Sequence, residues 1–119
     1  VGVTKVPVDD LSAADDGLSS ADMRIKILRA REIQAERFKN CDVDFNSQMS
    51  RKEVTRFCTL NKETRGLMNR AYEKYNMSAR GYFKTLKVAR TIADLEGEEA
   101  ISAEHILEAI GYRNIYINQ

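Results

Sequence analysis

Short polar residues recur along the chain, each directly ahead of apolar residues spaced three and four positions apart. The clearest of these residues are Ser50, Asn61, Ser78 and Ser102. A serine or asparagine at such a position caps a helix, because its side-chain oxygen accepts a hydrogen bond from a free backbone N–H of the first turn. Since only one proline interrupts the 119 residues, these patterns predict an all-α fold.

The first helix is predicted to start at Ser19 or Ser20, because the preceding run of Asp, Ser, Ala and Gly is typical of a flexible linker. Its buried face is predicted from apolar spacing. The residues of that face are Met23, Ile27, Leu28, Ala30, Ala35 and Phe38. The polar segment 41–49 has no helical period and is predicted to be a loop, held against the bundle by Val43 or Phe45.

The next two helices have clear starts. Ser50 stands three residues before Glu53, the spacing of a capping box in which each side chain accepts a hydrogen bond from the other residue's backbone N–H. The spacing of apolar residues predicts a third helix over about Lys62–Tyr75, after the Asn61 cap.

The fourth helix carries apolar residues on two sides, which indicates a central position in the bundle. It is predicted to begin after Ser78 and to be closed by Gly97, and the fifth helix is predicted to run from Ser102 to a stop at Gly111. Helices joined by short loops favour an irregular antiparallel bundle of about four to five helices.

Composition restricts the function. The formal net charge of +1 lacks the strong basicity of a stand-alone nucleic-acid binder, so any contact with nucleic acid must be local. No apolar stretch approaches the roughly 20 residues that span a bilayer, and we expect no membrane partner and a cytoplasmic location.

No catalytic residue is predicted in this chain. Paired carboxylates at a catalytic spacing, a Walker A pattern and a GxGxxG motif are all missing from the sequence. Cys41, Cys58 and His105 cannot assemble a zinc site, and no metal site is expected. His105 itself is predicted to be a partly exposed surface residue.

Arg80 is the electrostatic anomaly, because it falls in the first turn of the fourth helix, where the helix dipole disfavours a cation. Backbone N–H groups, the dipole and a guanidinium would converge there on an anion such as a phosphate oxygen. The alternative is a solvated arginine. Lys84 and Lys87 follow at helical spacings and could extend a basic stripe, diluted by Asp94 and Glu96.

A second nucleic-acid interpretation comes from the short second helix followed by the third, which superficially resembles a helix-turn-helix. The cations that would serve it are Arg51, Lys52, Arg56, Lys62 and Arg65. A third interpretation is a protein–protein contact, for which an exposed apolar patch would be the sign.

Three segments carry a resemblance to a known family: Ser78–Tyr82 (SARGY), Lys87–Gly97 (KVARTIADLEG) and His105–Arg113 (HILEAIGYR). With looser matches in the first helix, the sequence resembles the C-terminal region of Mg-chelatase-like AAA+ proteins of the competence-associated branch. Alanine is commoner in that family at the position of Gly81.

The resemblance implies a helical AAA+ lid at residues 19–113. Residues 1–18 would then be a flexible segment, the end of an ATPase core plus a linker, and residues 114–119 a tail. Arg80 would be the sensor-2 arginine that reaches the nucleotide phosphates. The full-length parent would use ATP and Mg²⁺. This chain alone would bind no cofactor and would not hydrolyse ATP, because its sequence lacks a glycine-rich phosphate-binding loop.

The resemblance also implies partners: an ATPase core in the same chain, neighbouring subunits of a homo-oligomeric ring, and possibly DNA. Relatives act on DNA during transformation and recombination or insert magnesium into porphyrins. The alternatives are therefore a nucleic-acid-binding helical module and the lid of a metal-chelatase motor subunit.

Overall fold

The computed structural model describes the backbone of residues 8–117 and the side chains of residues 20–112. Its helices are α1 (Val8–Arg37), α2 (Arg51–Phe57), α3 (Lys62–Lys74), α4 (Ala79–Leu95) and α5 (Ala103–Ile117), with a 3-10 turn at Asn46–Gln48. Residues 8–117 contain no strand. The predicted all-α bundle is therefore confirmed.

All four clear N-caps are confirmed, because each side chain accepts a hydrogen bond from the backbone N–H three residues later. These caps are Ser50, Asn61, Ser78 and Ser102. The capping box of α2 is complete, since the Glu53 carboxylate accepts a hydrogen bond from the Ser50 N–H at 2.9 Å. Local side-chain chemistry therefore determines where α2 to α5 begin.

Gly97 closes α4 as predicted. Its φ of 70° is in the left-handed region that favours glycine. The N–H of Glu98 donates to the Ala93 carbonyl at 2.8 Å and that of Gly97 donates to the Asp94 carbonyl at 3.0 Å. This pair of bonds is the Schellman motif, and it satisfies two of the free carbonyls at the helix end.

Two predicted helix ends are wrong. α1 begins at Val8, so neither Ser19 nor Ser20 is an N-cap. Aspartates in a first helical turn are stabilised by the dipole, and one glycine costs only about 1 kcal/mol, so the acidic run continues the helix. Gly111 does not end α5, which continues to Ile117. The limits at residues 18 and 113 stay a prediction, and residues 1–7 and 118–119 lie outside the described part.

α4 is the central helix, as predicted, because α1, α2, the 3-10 turn and α5 all pack against it, while α3 packs mainly on α5. Most of the buried apolar residues form one cluster, which draws on α2 to α5 and on the residues that follow α1 and the 3-10 turn. They are Phe38, Met49, Val54, Cys58, Met68, Leu86, Ala89, Ile92, Ala93, Ile101, Ile106 and Ala109. The bundle therefore has a single core built around α4.

The predicted apolar face of α1 is only partly correct. Ala30 and Phe38 are buried, but Met23, Ile27 and Leu28 are 51%, 40% and 54% exposed. Residues 20–29 of α1 extend beyond the core. The helical spacing of apolar residues in this segment therefore does not indicate that they are buried.

The prediction for the segment between α1 and α2 is partly correct. Val43 is half-buried and packs against the core, whereas Phe45 is 50% exposed. Asn46 and Met49 are the buried residues of this segment. Asn46, whose side chain is hydrogen-bonded inside the bundle, is therefore an anchor of the loop that was not predicted.

Candidate functional site

Arg80 lies in the first turn of α4, directly after the Ser78 cap, and its side chain is exposed. That turn contains no acidic residue. Within residues 20–112, Arg80 forms no ion pair. An unpaired guanidinium beside the positive end of a helix dipole attracts anions, because both favour negative charge. The predicted position at the exposed start of α4 is confirmed, and its role in phosphate binding stays a prediction.

An open groove of about 940 Å³ runs along α4 and begins at Arg80. Its apolar lining comes from Met49, Phe83, Val88, Ile92 and Leu95. Its charged lining comes from Lys26, Arg51, Arg80, Lys84, Lys87, Glu96 and Glu108. Because Arg80 and Glu96 are separated by about 24 Å along the helix at 1.5 Å per residue, the groove has a basic end and an acidic end.

The three cations predicted to form a stripe all line this groove. Arg80 and Lys84 are exposed, whereas Lys87 is half-buried and donates a hydrogen bond to the Ser47 carbonyl at 3.3 Å. Lys87 therefore also holds the loop before α2. The expected dilution of the stripe by Asp94 is wrong, because that carboxylate is completely buried.

Asp94 is the centre of a buried polar network that the sequence analysis did not identify. Two N–H groups of Arg37 donate to its oxygens at 2.7 and 2.8 Å, and the Asn46 amide donates at 2.8 Å. The Arg90 Nε adds a fourth bond at 3.2 Å. A carboxylate without contact with water needs such partners, because desolvation of an unpaired charge costs several kcal/mol.

Arg90 connects this network to the turn before α5. Its remaining N–H groups donate to the carbonyls of Glu98 and Glu99 at 2.7 and 2.9 Å. Burial lowers the pKa of the Arg90 guanidinium, although the Asp94 carboxylate beside it acts in the opposite direction. A guanidinium stays protonated in proteins, so Arg90 and Asp94 form a true ion pair.

The network also shapes the groove. The Asn46 N–H donates to the Gln34 side chain at 3.0 Å, and the Asn46 amide contacts both Asp94 and Thr91. These bonds fix the loop whose Ser47 and Met49 line the groove. Asp94 cannot reach a ligand, so its role is structural. The i,i+4 spacing of Arg90 and Asp94 within apolar stripes is the sequence signal that could have identified it.

His105 is 3% exposed, so the prediction of a partly exposed surface residue is wrong. Its Nδ1 accepts a hydrogen bond from the Ser102 N–H at 2.9 Å, and its Nε2 lies 2.9 Å from a Glu96 carboxylate oxygen. Because Nδ1 is an acceptor, the ring proton is assigned to Nε2, which donates to Glu96. His105 therefore completes the cap of α5 in the way that a glutamate completes a capping box.

The packing of α2 and α3 does not favour the helix-turn-helix interpretation. α2 packs mainly on α4, whereas α3 packs mainly on α5. Two of the cations named for the helix-turn-helix contact residues close to them in the sequence. Arg56 lies over the Phe57 ring, and Arg65 donates a hydrogen bond to the Leu60 carbonyl. In a helix-turn-helix the recognition helix packs against the helix before it, whereas here α3 packs mainly on α5.

The described side chains favour neither a metal site nor a reactive cysteine. No group of three or more His, Cys, Asp or Glu residues is arranged there to hold a metal ion. Burial raises the pKa of the Cys58 thiol to about 11, so this thiol stays protonated near neutral pH.

None of the described helices has the length and apolar character required to cross a membrane.

Residues 17–113 match the family model for the C-terminal domain of the magnesium chelatase subunit ChlI. The chain is 43% identical over 102 residues to the competence protein ComM of Haemophilus influenzae, an alignment that covers 86% of this chain and 19% of that protein. It is 33% identical over 102 residues to the protein YifB of Salmonella typhimurium, with the same coverage.

The protein Rv2897c of Mycobacterium tuberculosis is 27% identical over 101 residues, which cover 85% of this chain and 20% of that protein. The chain thus spans about a fifth of the length of these relatives. No solved structure matches the chain.

Proposed function

Because the chain belongs to the family of the magnesium chelatase ChlI C-terminal domain, we propose that it is the helical lid of an AAA+ ATPase. In this proposal Arg80 is the sensor-2 arginine, which contacts the phosphates of ATP bound to a separate ATPase core. The lid contributes to ATP binding and hydrolysis by the complete protein, and catalysis requires that core.

The placement of Arg80 is the observation that carries this proposal. The guanidinium is exposed at the start of α4, has no ion-pair partner among the described side chains, and lies at the basic end of the groove. The guanidinium presents N–H donors suited to phosphate oxygens. A buried or ion-paired arginine at this position would not have supported the assignment.

The residues present suit a phosphate rather than a metal ion. Arg80, Lys84 and Lys87 are cations on one groove, and no metal-ligating group of residues is found between residues 20 and 112. Mg²⁺–ATP supplies the phosphoryl group that is transferred. The lid's own contribution is electrostatic, since Arg80 stabilises negative charge on the phosphates. We therefore assign the binding of Mg²⁺ to the core and the phosphates.

For the whole protein, we propose an ATP-driven homo-oligomeric ring that processes DNA during transformation or recombination. The name of the relative ComM, a competence protein, supports this choice for the parent. The description of the family, which names magnesium chelatase, supports the alternative that the chain is the lid of a metal-chelatase motor subunit.

A nucleic-acid-binding module is the second candidate, and the basic end of the groove favours it. Arg51 and Lys84 join Arg80 there, and together they could neutralise a phosphate backbone. The net charge of +1 and the acidic opposite end of the groove count against this candidate.

The decisive experiment measures ATP turnover by a protein that joins this lid to its ATPase core. We expect Arg80→Ala to lower turnover on the order of 10–100-fold, because a preorganised cation at developing phosphate charge is lost. Arg80→Lys should restore part of the rate. The control is Arg70→Ala, which removes an exposed arginine of α3 outside the groove. Turnover unchanged in Arg80→Ala would refute the sensor-2 assignment.

A titration of the chain itself distinguishes the two candidates. NMR spectra are recorded with Mg²⁺–ATP and, separately, with short single- and double-stranded DNA at low and moderate salt. Weak shifts confined to Arg80 and the start of α4, without a response to DNA, support the lid. Broad, salt-sensitive shifts from DNA across the basic end of the groove support the nucleic-acid module instead.

A further inference from the structure

The described part of α1 begins with a helical segment that has no cover. Every residue from Ser20 to Arg29 is exposed, and Ala30 is the first buried residue among the described side chains of this helix. The segment nevertheless carries four large apolar side chains that are 40% to 54% exposed: Met23, Ile25, Ile27 and Leu28. Such a patch marks an interaction surface, because covering exposed apolar side chains with a partner removes their area from water, which is favourable.

The same segment is basic. Arg24, Lys26, Arg29 and Arg31 are all exposed, and Asp22 is the single acid between Ser20 and Arg31. Met23, Ile27 and Leu28 share a shallow surface depression with Arg24 and Arg31. Neither arginine has an ion-pair partner among residues 20–112. These five residues of the depression are the α1 surface, and a partner for it must be both apolar and acidic.

A surface of that chemistry exists at the other end of the chain. Residues 95–112 contain five glutamates and no lysine or arginine. On α5, Glu104, Leu107 and Glu108 are exposed at spacings of three and four, which places them on one helix face. Leu107 is 56% exposed, and Tyr112 beside this face is 45% exposed. We call this the acidic α5 face.

Gly111 belongs to the same face of α5. A Cβ atom added to Gly111 would meet nothing within 4 Å. The surface there is open, so another helix can approach the α5 backbone closely. The acidic α5 face thus combines an exposed leucine, flanking carboxylates and a flat point of approach.

We infer that the α1 surface of one copy of this chain docks on the acidic α5 face of a second copy. The apolar side chains of α1 would cover Leu107, and the arginines would meet Glu104 and Glu108. Because the two surfaces differ, the contact is heterologous and joins copies head to tail, either into a closed ring or into an open chain. This inference does not depend on a role of Arg80 in ATP hydrolysis.

A contact within one copy is less compatible with the geometry. Met23 and Lys26 line the α4 groove together with Glu108 and Tyr112, but Lys26 and Glu108 form no ion pair. Arg24, Leu28 and Arg31 are not part of the groove lining at all. The α1 surface is therefore available to another molecule.

Sedimentation equilibrium over a range of protein concentrations tests the inference. We expect the wild-type chain to self-associate, and association to weaken as salt screens the charges. One variant carries Arg24→Glu and Arg31→Glu, and a second carries Glu104→Lys and Glu108→Lys. Each alone should associate at least about tenfold more weakly, since like charges then face each other. An equimolar mixture of the two should associate again, because each reversed surface finds its opposite.

Two further variants control for folding and for net charge. Lys52→Glu with Lys62→Glu, on α2 and α3, makes the same change in net charge as the α1 arginine reversal and should associate like the wild type. Gly111→Gln leaves the charge unchanged and meets open space in the fold, yet it should weaken association by obstructing the acidic α5 face. Circular dichroism verifies that each variant is helical.

The following results would overturn the inference. A wild-type chain that stays monomeric at every concentration has no such contact. Reversed variants that stay separate when mixed, while the wild type associates, place the interface elsewhere. If the α1 arginine reversal abolishes binding of a short DNA duplex and leaves self-association intact, the α1 surface is a nucleic-acid site.

Discussion

Asp94 accepts the hydrogen bonds that hold the buried polar network together. It is fully buried, and Arg37, Arg90 and Asn46 all direct donors at it. The spacing of apolar residues predicted the helix on which Asp94 lies, but the charge of Asp94 was expected on the surface. Helical periodicity gives the face of a residue, and the i,i+4 spacing places Arg90 beside Asp94. Arg37 and Asn46, however, lie 57 and 48 positions away, and only the tertiary fold brings them to this carboxylate.

We predict that Asp94→Ala destabilises the chain by about 3–5 kcal/mol, because two arginines lose their buried counter-charge. Urea denaturation followed by circular dichroism measures the free energy of unfolding. Glu73→Ala, which removes an exposed carboxylate from α3, is the control and should change stability by less than about 0.5 kcal/mol. A loss below about 1 kcal/mol for Asp94→Ala would mean that the network contributes little to stability.

At the scale of the element, the helices that could be predicted were those whose ends are set locally. The caps at Ser50, Asn61, Ser78 and Ser102 and the left-handed stop at Gly97 require only neighbouring residues. The Gly111 stop failed because a glycine ends a helix only where the backbone turns left-handed. At Gly111 the helix continues, so this glycine has a helical conformation and an alanine would suit it better.

We therefore predict opposite effects of the same substitution at two glycines. Gly111→Ala should stabilise the chain by about 0.5–1 kcal/mol, because alanine has a higher helix propensity than glycine and its Cβ atom meets open space. Gly97→Ala should destabilise it by roughly 1 kcal/mol or more, because alanine is strained at a φ of 70°. Thermal unfolding of both variants measures the difference. Destabilisation by Gly111→Ala would show that this part of α5 is not a regular helix.

At the scale of the whole molecule, one part of the candidate site could be predicted from local spacing, and the other part depends on the tertiary fold. Arg80, Lys84 and Lys87 lie on one helix, so their shared side followed from their spacing and the structure places them on one groove. The groove itself needs walls from α1, the loop before α2 and α5, which no local pattern specifies. The exposure of Met23 and Leu28 was missed for the same reason, since apolar spacing does not say whether a partner for that face lies in the same chain.

The distribution of burial predicts how stability varies across the molecule. α4 contacts most of the other elements, and its amides should exchange with deuterium only on global unfolding. The amides from Ser20 to Arg29 lie outside the core and should exchange at least roughly tenfold faster than those of α4 in the monomer. If α1 docks on α5 of a second copy, this segment and α5 should gain protection together as the protein concentration rises, while α4 stays unchanged. Equal exchange rates in this segment and in α4 at low concentration would show that residues 20–29 already belong to the cooperative core.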